Sequence, residues 1–416
     1  MNTGLISSDK TSLVPTITLF LLGLLLTACL PTSTLSITPT PIPRTAWGDI
    51  HTVGQASYAP APNMIVDNGD VLMSWVGEDD ERVFQAFSSW REGQLDDIAI
   101  PVLESFSPFE QRIFPADQDG VHLLWLDTDF ETEKIQLFSA YLDNTLTTII
   151  APDSISDQHT THYTAINDVQ GALWVVWSGG LLAEPSLQVV RIDGLGRPMF
   201  PERLTLDGDY PVFAKTLDHQ VFLFWISRVN QRVMHAEFID GELHNTRAIS
   251  QLPDRATSDR LAEFSVMFDR THYYLFWNIT REDGHSETLT STASIHSEDI
   301  AIPQPLMMSV DSSNTIQTGF NSGVVSTAVS AGRTGLSWAR PLNEAADILP
   351  IAVQNDISIG IIYMQGGAII GYQSLAETGR LLGSPQITTD RDRHLYVTWS
   401  QPTAYGVADL NFTTTR

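Results

Sequence analysis

Along the chain, short polar turns separate strands in which apolar and polar residues alternate. The strands that follow the clearest of these turns end on tryptophan. The clearest copy is ADQDGVHLLW, from Ala116 to Trp125, preceded by an extended run from Arg112 to Pro115. Asp and Gly accept the backbone dihedrals of a tight turn, and Val, Leu and Trp suit a half-buried pleated surface. The pattern predicts a β-hairpin. No segment holds sustained helical periodicity, so the sequence predicts an all-β fold.

The hairpin recurs along the chain, and each copy is recognised by its closing tryptophan. The first five tryptophans are 50, 52, 48 and 52 residues apart, and the last two steps are 61 residues each. A second alternating run and a weaker third run follow the copies, which gives four strands per unit. A period near 50 residues with four strands is typical of a β-propeller blade. The repeat tryptophans are Trp75, Trp125, Trp177, Trp225, Trp277, Trp338 and Trp399.

Seven copies predict seven blades, with six and eight blades as alternatives. The alternatives arise from residues 322–384, where the repeat is irregular and Tyr363 stands in the tryptophan's place. The two ends of the repeat region fit a closed ring. The last unit stops after its third strand, and residues 48–56 precede the first unit without a partner. We predict that residues 48–56 complete the last blade, because this pairing removes an exposed strand edge.

The composition supports a folded domain and excludes one class of partner. Hydrophobic residues make up 43% of the chain, which is enough for a large core. The 23 basic and 49 acidic residues give a formal net charge of −26. A field of that sign repels nucleic acid and favours cations or basic partners. We therefore expect no nucleic-acid partner.

An apolar segment precedes Cys29, the single cysteine of the chain. Residues 11–28 have the length of a signal peptide and end in small residues. Leu26, Thr27, Ala28 and Cys29 resemble the lipobox of bacterial lipoproteins. The resemblance implies that Cys29 receives diacylglycerol. It also implies an extracytoplasmic protein that is lipid-anchored to the cell membrane or the outer membrane.

The sequence is thus predicted to have three parts. Residues 1–28 form the lipoprotein signal peptide. Residues 29–47 comprise the lipidated cysteine and a stalk rich in Pro and Thr, a composition that stays extended. Residues 48–416 form the propeller.

Candidate chemistry lies in the loops on one face of the predicted ring. With this strand order, the loops between second and third strands and the loops between blades share the face where ligands usually bind. Candidate acids or bases there are Asp79, Asp127, Asp129 and Asp283. Ligand-binding candidates are His159, His162, Arg281 and Trp90, which with Trp47 and Trp174 falls outside the repeat position.

No cofactor is predicted, although calcium remains a hypothesis. The run DTDFETE, residues 127–133, has carboxylates at alternate positions but lacks the central glycine and terminal spacing of an EF-hand loop. The chain has no GxSxG, HExxH or CxxC motif and no phosphate-binding loop, so several enzyme classes lose their support. No confident metal ligand set emerges.

The hairpin repeat loosely resembles the sialidase-like, or BNR-repeat, propellers. Asp117, Asp119 and Gly120 stand in its turn, and Arg112 to Pro115 is similar to an Arg-Ile-Pro signature with an inserted Phe. The resemblance implies a glycoside hydrolase as one hypothesis, but no arginine triad or Tyr and Glu pair is found by motif. The sequence favours a binding or scaffold module for glycan or protein over an enzyme. An envelope assembly component is a third alternative.

The lipobox generates a direct prediction. Cells that express the chain should incorporate radiolabelled palmitate into it, and Cys29→Ser should abolish the label, because only the thiol accepts the diacylglycerol. Autoradiography of the immunoprecipitated protein measures this. Unchanged labelling of Cys29→Ser would exclude the lipobox interpretation.

Overall fold

The computed structural model describes most of the chain from residue 46 onwards. The described residues are 46–57, 60–79, 82–103, 105–129, 132–168, 171–181, 184–216, 220–254, 259–268, 271–284, 286–305, 308–310, 316–318, 335–339, 348–354, 358–365, 368–379, 382–403 and 406–416. The predicted signal peptide, Cys29 and most of the predicted stalk lie outside them. Within them, no helix is long and apolar enough to cross a membrane.

The fold is a seven-bladed β-propeller, and each blade is a four-stranded antiparallel sheet. This confirms the predicted fold class and the blade number. The strands of blades 1 to 4 are Asn63–Asp67, Asp70–Glu78, Val83–Arg91 and Gln94–Leu95; Phe109–Pro115, Val121–Thr128, Ile135–Leu142 and Thr148–Ser154; Thr160–Asn167, Leu173–Leu181, Glu184–Ile192 and Glu202–Arg203; Asp209–Lys215, Val221–Ser227, Arg232–Ile239 and Glu242–Gln251.

The remaining blades follow the same order, and the last one joins the two ends of the described chain. Their strands are Arg260–Phe268, His272–Thr280, Ser286–Ser294 and Gln304–Pro305; Gly335–Trp338, Ile348–Gln354, Ser358–Gln365 and Ala368–Glu377; Gln386–Thr389, Leu395–Pro402, Val407–Thr414 and His51–Ser57. A separate hairpin pairs Met308–Val310 with Ile316–Thr318. The turn at Asp117–Asp119 forms one 3-10 turn.

The predicted ring closure is confirmed by the outermost strand of blade 7. His51–Ser57 pairs antiparallel with Val407–Thr414, and His51 lies opposite Phe412. The side chain of Val53, 2% exposed, packs in a cluster with Phe412 and with residues of blade 1. The closing strand therefore links the beginning of the propeller to its end.

Six of the seven repeat tryptophans lie on second strands, as predicted, and the described ones are buried. Trp125 of blade 2 lies in one buried cluster with Phe87 of blade 1, and Trp277 of blade 5 lies in one with Phe224 of blade 4. Large rings at this position fill the space between neighbouring sheets. Packing between blades, which each sheet needs for its apolar faces, is therefore their role.

Blade 6 departs from the predicted alignment. Trp338 lies on the first strand of the blade and pairs with Ile351, although the repeat predicts a second strand. Tyr363 lies on the third strand, opposite Pro350, although it was aligned with the second-strand tryptophans. The second strand, Ile348–Gln354, is buried along its whole length and carries no tryptophan. It has no alternation of buried and exposed residues, so periodicity assigned the strands on both sides of it to the second position.

The closing strand generates a stability prediction. Val53→Asp should lower the free energy of unfolding by about 3 kcal/mol or more, because it buries an unpaired charge between two blades. Ser57→Asp adds the same charge at the exposed end of the same strand and should have little effect. Urea unfolding followed by tryptophan fluorescence measures both. Equal stability of the two variants would show that this strand contributes no packing.

Candidate functional site

A cavity of about 660 Å³ lies in the central channel of the propeller. Its described walls come mostly from the beginnings of the first strands of blades 1 to 5 and 7, at the end of the channel that the loops between blades also reach. Polar and aromatic groups dominate this mouth. They include Asn63, Glu110, Arg112, His162, Tyr163, Tyr210, Glu263, Ser384 and Gln386.

The first strands of blades 2 to 5 are irregular at the mouth. Their pairing with the second strands shifts between Phe109 and Arg112, Thr160 and His162, Asp209 and Val212, and Leu261 and Glu263. The first strands of blades 1 and 7 pair without a shift. A β-bulge re-aims side chains and is frequent beside functional sites. The irregular backbone therefore lies on the side of the mouth formed by blades 2 to 5, which makes this side the candidate site.

Two of these bulges hold a residue with a left-handed backbone. Glu110 has φ of 48° and Tyr210 has φ of 51°, and both stand at the bulge of their strand. Such dihedrals are uncommon for residues other than glycine, asparagine or aspartate and persist only where the surrounding structure holds them. Both left-handed residues therefore lie where the first strands border the channel mouth.

His162 is held between a carboxylate and an aromatic ring. Its Nδ1 lies 3.1 Å from Oδ1 of Asp209, and its ring stacks on Tyr210 with centroids 3.6 Å apart. The Tyr210 hydroxyl donates to the Leu261 carbonyl at 2.9 Å. A carboxylate can only accept, so it favours a proton on Nδ1 and leaves Nε2 as the ring nitrogen that can accept one. The His162 side chain is 28% exposed.

Asp209 organises this part of the mouth from a buried position. It accepts from the Ser178 hydroxyl at 2.9 Å, from the Arg228 guanidinium at 2.5 Å and from the amide of Tyr210 at 3.0 Å. Burial alone would raise the pKa of Asp209. The hydrogen bonds and charges of His162 and Arg228 outweigh burial and hold that pKa well below its usual range. Asp209 is therefore ionised and orients His162.

Arg112 lies beside a buried tyrosine on the blade 2 side of the mouth. Its guanidinium carbon sits 5.1 Å from the centre of the Tyr163 ring. The Tyr163 hydroxyl donates to the backbone carbonyls of Glu110 and Leu124. Burial raises the pKa of Tyr163 far above its ordinary value, so the hydroxyl stays protonated. Tyr163 thus supports Arg112 with its ring and the bulge at Glu110 with its hydroxyl.

A hydrogen bond across the mouth connects blade 5 to the segment before blade 7. The Ser384 hydroxyl lies 2.7 and 2.8 Å from the two carboxylate oxygens of Glu263. Asn278 donates to the same carboxylate at 2.9 Å. Glu263 therefore holds the segment that borders the channel on the blade 7 side.

The carboxylate of Asp127, a candidate acid or base, accepts hydrogen bonds from backbone amides instead. It is 3% exposed and accepts from the amides of Phe106 and Ser107 at 2.9 and 2.7 Å and from that of Thr128 at 2.7 Å. The carboxylate secures the loop between blades 1 and 2. It does not line the channel, so the structure corrects its placement at the mouth.

The other acidic candidates lie in loops between second and third strands and do not line the channel. Asp79 caps its own turn by accepting from the Arg82 amide at 3.0 Å, and Asp129 accepts from the Thr132 amide at 3.2 Å. Asp283 is exposed in the turn after Arg281. The structure does not bring these carboxylates together in the channel.

The ligand-binding candidates divide into one channel residue and three others. His162 lines the channel. Arg281 donates to Asp259 at 2.6 Å and pairs with Glu287, and its pKa is raised chiefly by the Asp259 hydrogen bond. His159 Nδ1 accepts from the Ile135 amide at 3.3 Å. Trp90 is 5% exposed and packs against Phe412 and Tyr396 of blade 7.

The geometry of the described residues shows no candidate set of metal ligands. Among the described residues, no group of three or more His, Cys, Asp or Glu side chains is arranged to hold a metal ion. The carboxylates closest to the mouth, Glu110 and Glu263, lie on different blades. Calcium binding stays a hypothesis.

Most mouth residues were not site candidates from the sequence, although blade 2 carries a signal. Glu110, Gln111 and Arg112 are three consecutive polar residues near the start of its first strand. Such a run breaks the period of two that a regular strand requires. The bulge of blade 5, between Leu261 and Glu263, has no such run.

The Asp209 cluster generates a stability prediction. Asp209→Asn should lower the free energy of unfolding by about 2 to 3 kcal/mol at neutral pH, because a buried carboxylate with charged partners is neutralised. Because the folded pKa is depressed, the effect is present above the unfolded pKa near 4 and declines as pH falls through the folded value. Urea unfolding across this pH range measures it. Asp79→Asn, in an exposed loop, is the control, and an equal loss there would contradict the assignment.

Comparison with known proteins identifies the architecture. No family model matches the chain, and no curated protein matches its sequence. Among solved structures, the polysaccharide lyase Uly1 is similar with a TM-score of 0.54 and 10% identity over 91% of this chain and 93% of that chain. An α-L-arabinanase of Penicillium chrysogenum complexed with arabinobiose is similar with a TM-score of 0.50 and 11% identity, over 89% and 98% of the two chains.

A third similar structure is a PL25 ulvan lyase bound to -[GlcA(1-4)Rha3S]-. It has a TM-score of 0.50 and 10% identity over 86% of this chain and 95% of that chain. At these identities the similarity concerns the fold alone. The chain shares the seven-bladed propeller architecture with these proteins.

Proposed function

We propose that the chain is a lipid-anchored, extracytoplasmic propeller that binds an acidic glycan in its central channel. The observation that carries the proposal is Arg112. It is exposed in the channel beside Tyr163, and it makes no ion pair with any residue that the structure describes. An anionic ligand in the channel would therefore not compete with a carboxylate of the described residues for this guanidinium.

Arg112 has the chemistry to recognise an anion on a sugar. A guanidinium presents donors in a planar fork that matches a carboxylate or sulfate, and an aromatic ring beside it limits its motion. It is the only arginine among the described residues that border the channel. The anionic group of the ligand would therefore lie at the blade 2 side of the mouth.

The rest of the mouth suits a saccharide. The cavity of about 660 Å³ lies within the range of small-ligand sites. The half-buried ring of Tyr210 offers apolar surface, and Asn63, Gln386 and Glu110 offer donors and acceptors for hydroxyl groups. Two similar propellers are described in complex with glycans, one of them containing GlcA, an acidic sugar. This supports a glycan over a protein as the ligand of the channel.

A second candidate function is cleavage of the bound glycan, and His162 favours it. Its Nε2 has no partner among the described residues, while Asp209 engages its Nδ1. This arrangement fits a general base in hydrogen-bonding reach of a ligand. A sialidase-like hydrolysis using Asp79, Asp127, Asp129 or Asp283 gains no support, because none of them borders the channel.

The anchor and its alternatives rest on the N-terminal sequence. A diacylated Cys29 would tether the propeller to the membrane, and residues 30–44 would hold it above the surface. A channel ligand would then be a cell-envelope or environmental polysaccharide. An envelope assembly component remains the alternative, in which a protein partner and not the channel ligand defines the role.

The binding test uses Arg112→Gln. Isothermal titration with a polyuronate and with a sulfated polysaccharide should give saturable binding to the wild-type chain that weakens by roughly tenfold or more in the variant, since a charge-assisted bidentate contact is lost. Arg203→Gln removes an exposed arginine on an outer strand of blade 3 and should leave the affinity unchanged. Binding of a neutral glycan with equal strength would contradict the acidic class.

The same ligands decide between binding and cleavage. Release of reducing ends indicates hydrolysis, and ultraviolet absorbance of an unsaturated product indicates elimination. Either activity should disappear in His162→Ala if this residue is the base. Saturable binding without either product supports the binding function, and no binding by any glycan overturns the proposal.

A further inference from the structure

A second cleft, of about 530 Å³, lies between blades 3 and 4. Its walls come from the turn between first and second strands of blade 3, at Asp168, and from the turns between third and fourth strands of both blades. The channel mouth lies at the opposite ends of these antiparallel strands. The cleft is therefore on the other face of the propeller and separate from the proposed glycan site.

One wall of the cleft presents two apolar side chains to solvent. Phe200 is 95% exposed and Met199 is 59% exposed. The amide of Met199 donates to the Arg191 carbonyl at 2.8 Å, and Pro198 forms a bridge with Ile192. Prolines on both sides of Met199 and Phe200 restrict the backbone further. The pair is thus held outward by a rigid segment, which lowers the entropy cost of binding.

The floor and the opposite wall meet at Trp174. Its ring packs edge-on against Phe238 with centroids 5.5 Å apart. The turn at Asp240 and Gly241 covers the ring, with φ of 50° and 90°, and a Cβ at Gly241 would come within 2.9 Å of it. A side chain at position 241 would displace the turn. The tryptophan outside the repeat position therefore shapes this cleft.

The charge of the cleft is negative. Its arginine, Arg191, pairs with Asp168 at 2.9 Å and leaves no net positive charge. The exposed carboxylates of Glu202, Asp240 and Glu242 surround the opening. Glu202 and Asp240 make no ion pair with the described residues. Glu242 lies 3.7 Å from the His244 ring. The cleft thus combines an apolar wall with three exposed carboxylates, two of them without an ion pair.

We infer that this cleft docks a polypeptide segment of a partner protein in which a lysine or arginine lies beside a large apolar side chain. The apolar group would pack on Phe200 and Met199, and the cation would face the carboxylates. An acidic glycan is disfavoured by the same carboxylates. A neutral saccharide would form no ion pair with these carboxylates.

The test uses the full chain and a fluorescein-labelled peptide of alternating lysine and leucine. Fluorescence polarisation should give a Kd that rises by roughly tenfold or more in Phe200→Ser, and similarly in the triple variant Glu202→Gln, Asp240→Asn and Glu242→Gln. Val229→Ser, which changes another apolar side chain that is 80% exposed, is the first control. The triple variant Glu92→Gln, Asp97→Asn and Glu298→Gln controls for net charge.

Each outcome bears on the inference. Unchanged affinity in both controls, with a benzophenone-bearing peptide crosslinked to residues 199–203, supports it. Equal weakening by the two triple variants would mean diffuse attraction to an acidic surface and overturn it. If a peptide of alternating lysine and serine binds as tightly as the lysine and leucine peptide, the apolar contact does not contribute and the inference is wrong. If the peptide does not bind, but a neutral oligosaccharide binds and loses binding in Phe200→Ser, the ligand of the cleft is a saccharide and the inference is wrong.

Discussion

The packing of one blade against the next is the interaction on which the rest of this structure depends. A four-stranded sheet buries its two faces only if a neighbour covers each of them, and only a closed ring covers every face. The strand His51–Ser57 makes that possible, because it pairs with Val407–Thr414 and contributes Val53 to the cluster beside blade 1. The channel is a product of this closure. Its walls are the first strands that the ring brings side by side.

Closure also explains why the irregular backbone can be tolerated at the mouth. Rings such as Trp125 and Trp277 pack between the blades. The bulges between first and second strands, the left-handed residues Glu110 and Tyr210, and the buried charge of Asp209 lie at one end of the channel. A rigid ring over-determines the positions of these groups. Along the first strands, the groups of the proposed ligand site therefore lie at the mouth end, and the residues that pack between blades lie towards the other end.

The architecture was predictable because it repeats. A tryptophan every 50 residues or so, with turn residues before it, marks the second strands, and the unpaired residues at the two ends indicate closure. Blade 6 was misaligned because Ile348–Gln354 is buried throughout and lacks the alternation and the tryptophan that mark the other blades. Repetition carries information only where the copies resemble each other.

The site was less predictable, since its residues are the departures from the repeat. His162 was recognised because histidine is rare and stood in a loop, whereas Tyr163, Tyr210 and Glu263 were not, because a bulge moves a side chain to another face without a strong sequence signal. Asp127 was misplaced for a related reason. Carboxylates in loops commonly accept hydrogen bonds from backbone amides, and composition does not distinguish this role from ligand binding.

The two candidate surfaces differ in charge more than the net charge of the chain suggests. At physiological ionic strength the Debye length is about 8 Å, so exposed carboxylates on distant blades are largely screened from a group at Arg112. A formal charge of −26 therefore does not prevent an anionic ligand from binding in the channel. The same screening means that a cationic partner is selected by the carboxylates next to Phe200 and not by the whole surface. Local pairing decides each preference: Arg112 lacks a carboxylate partner, whereas Arg191 is neutralised by Asp168 and leaves its cleft acidic.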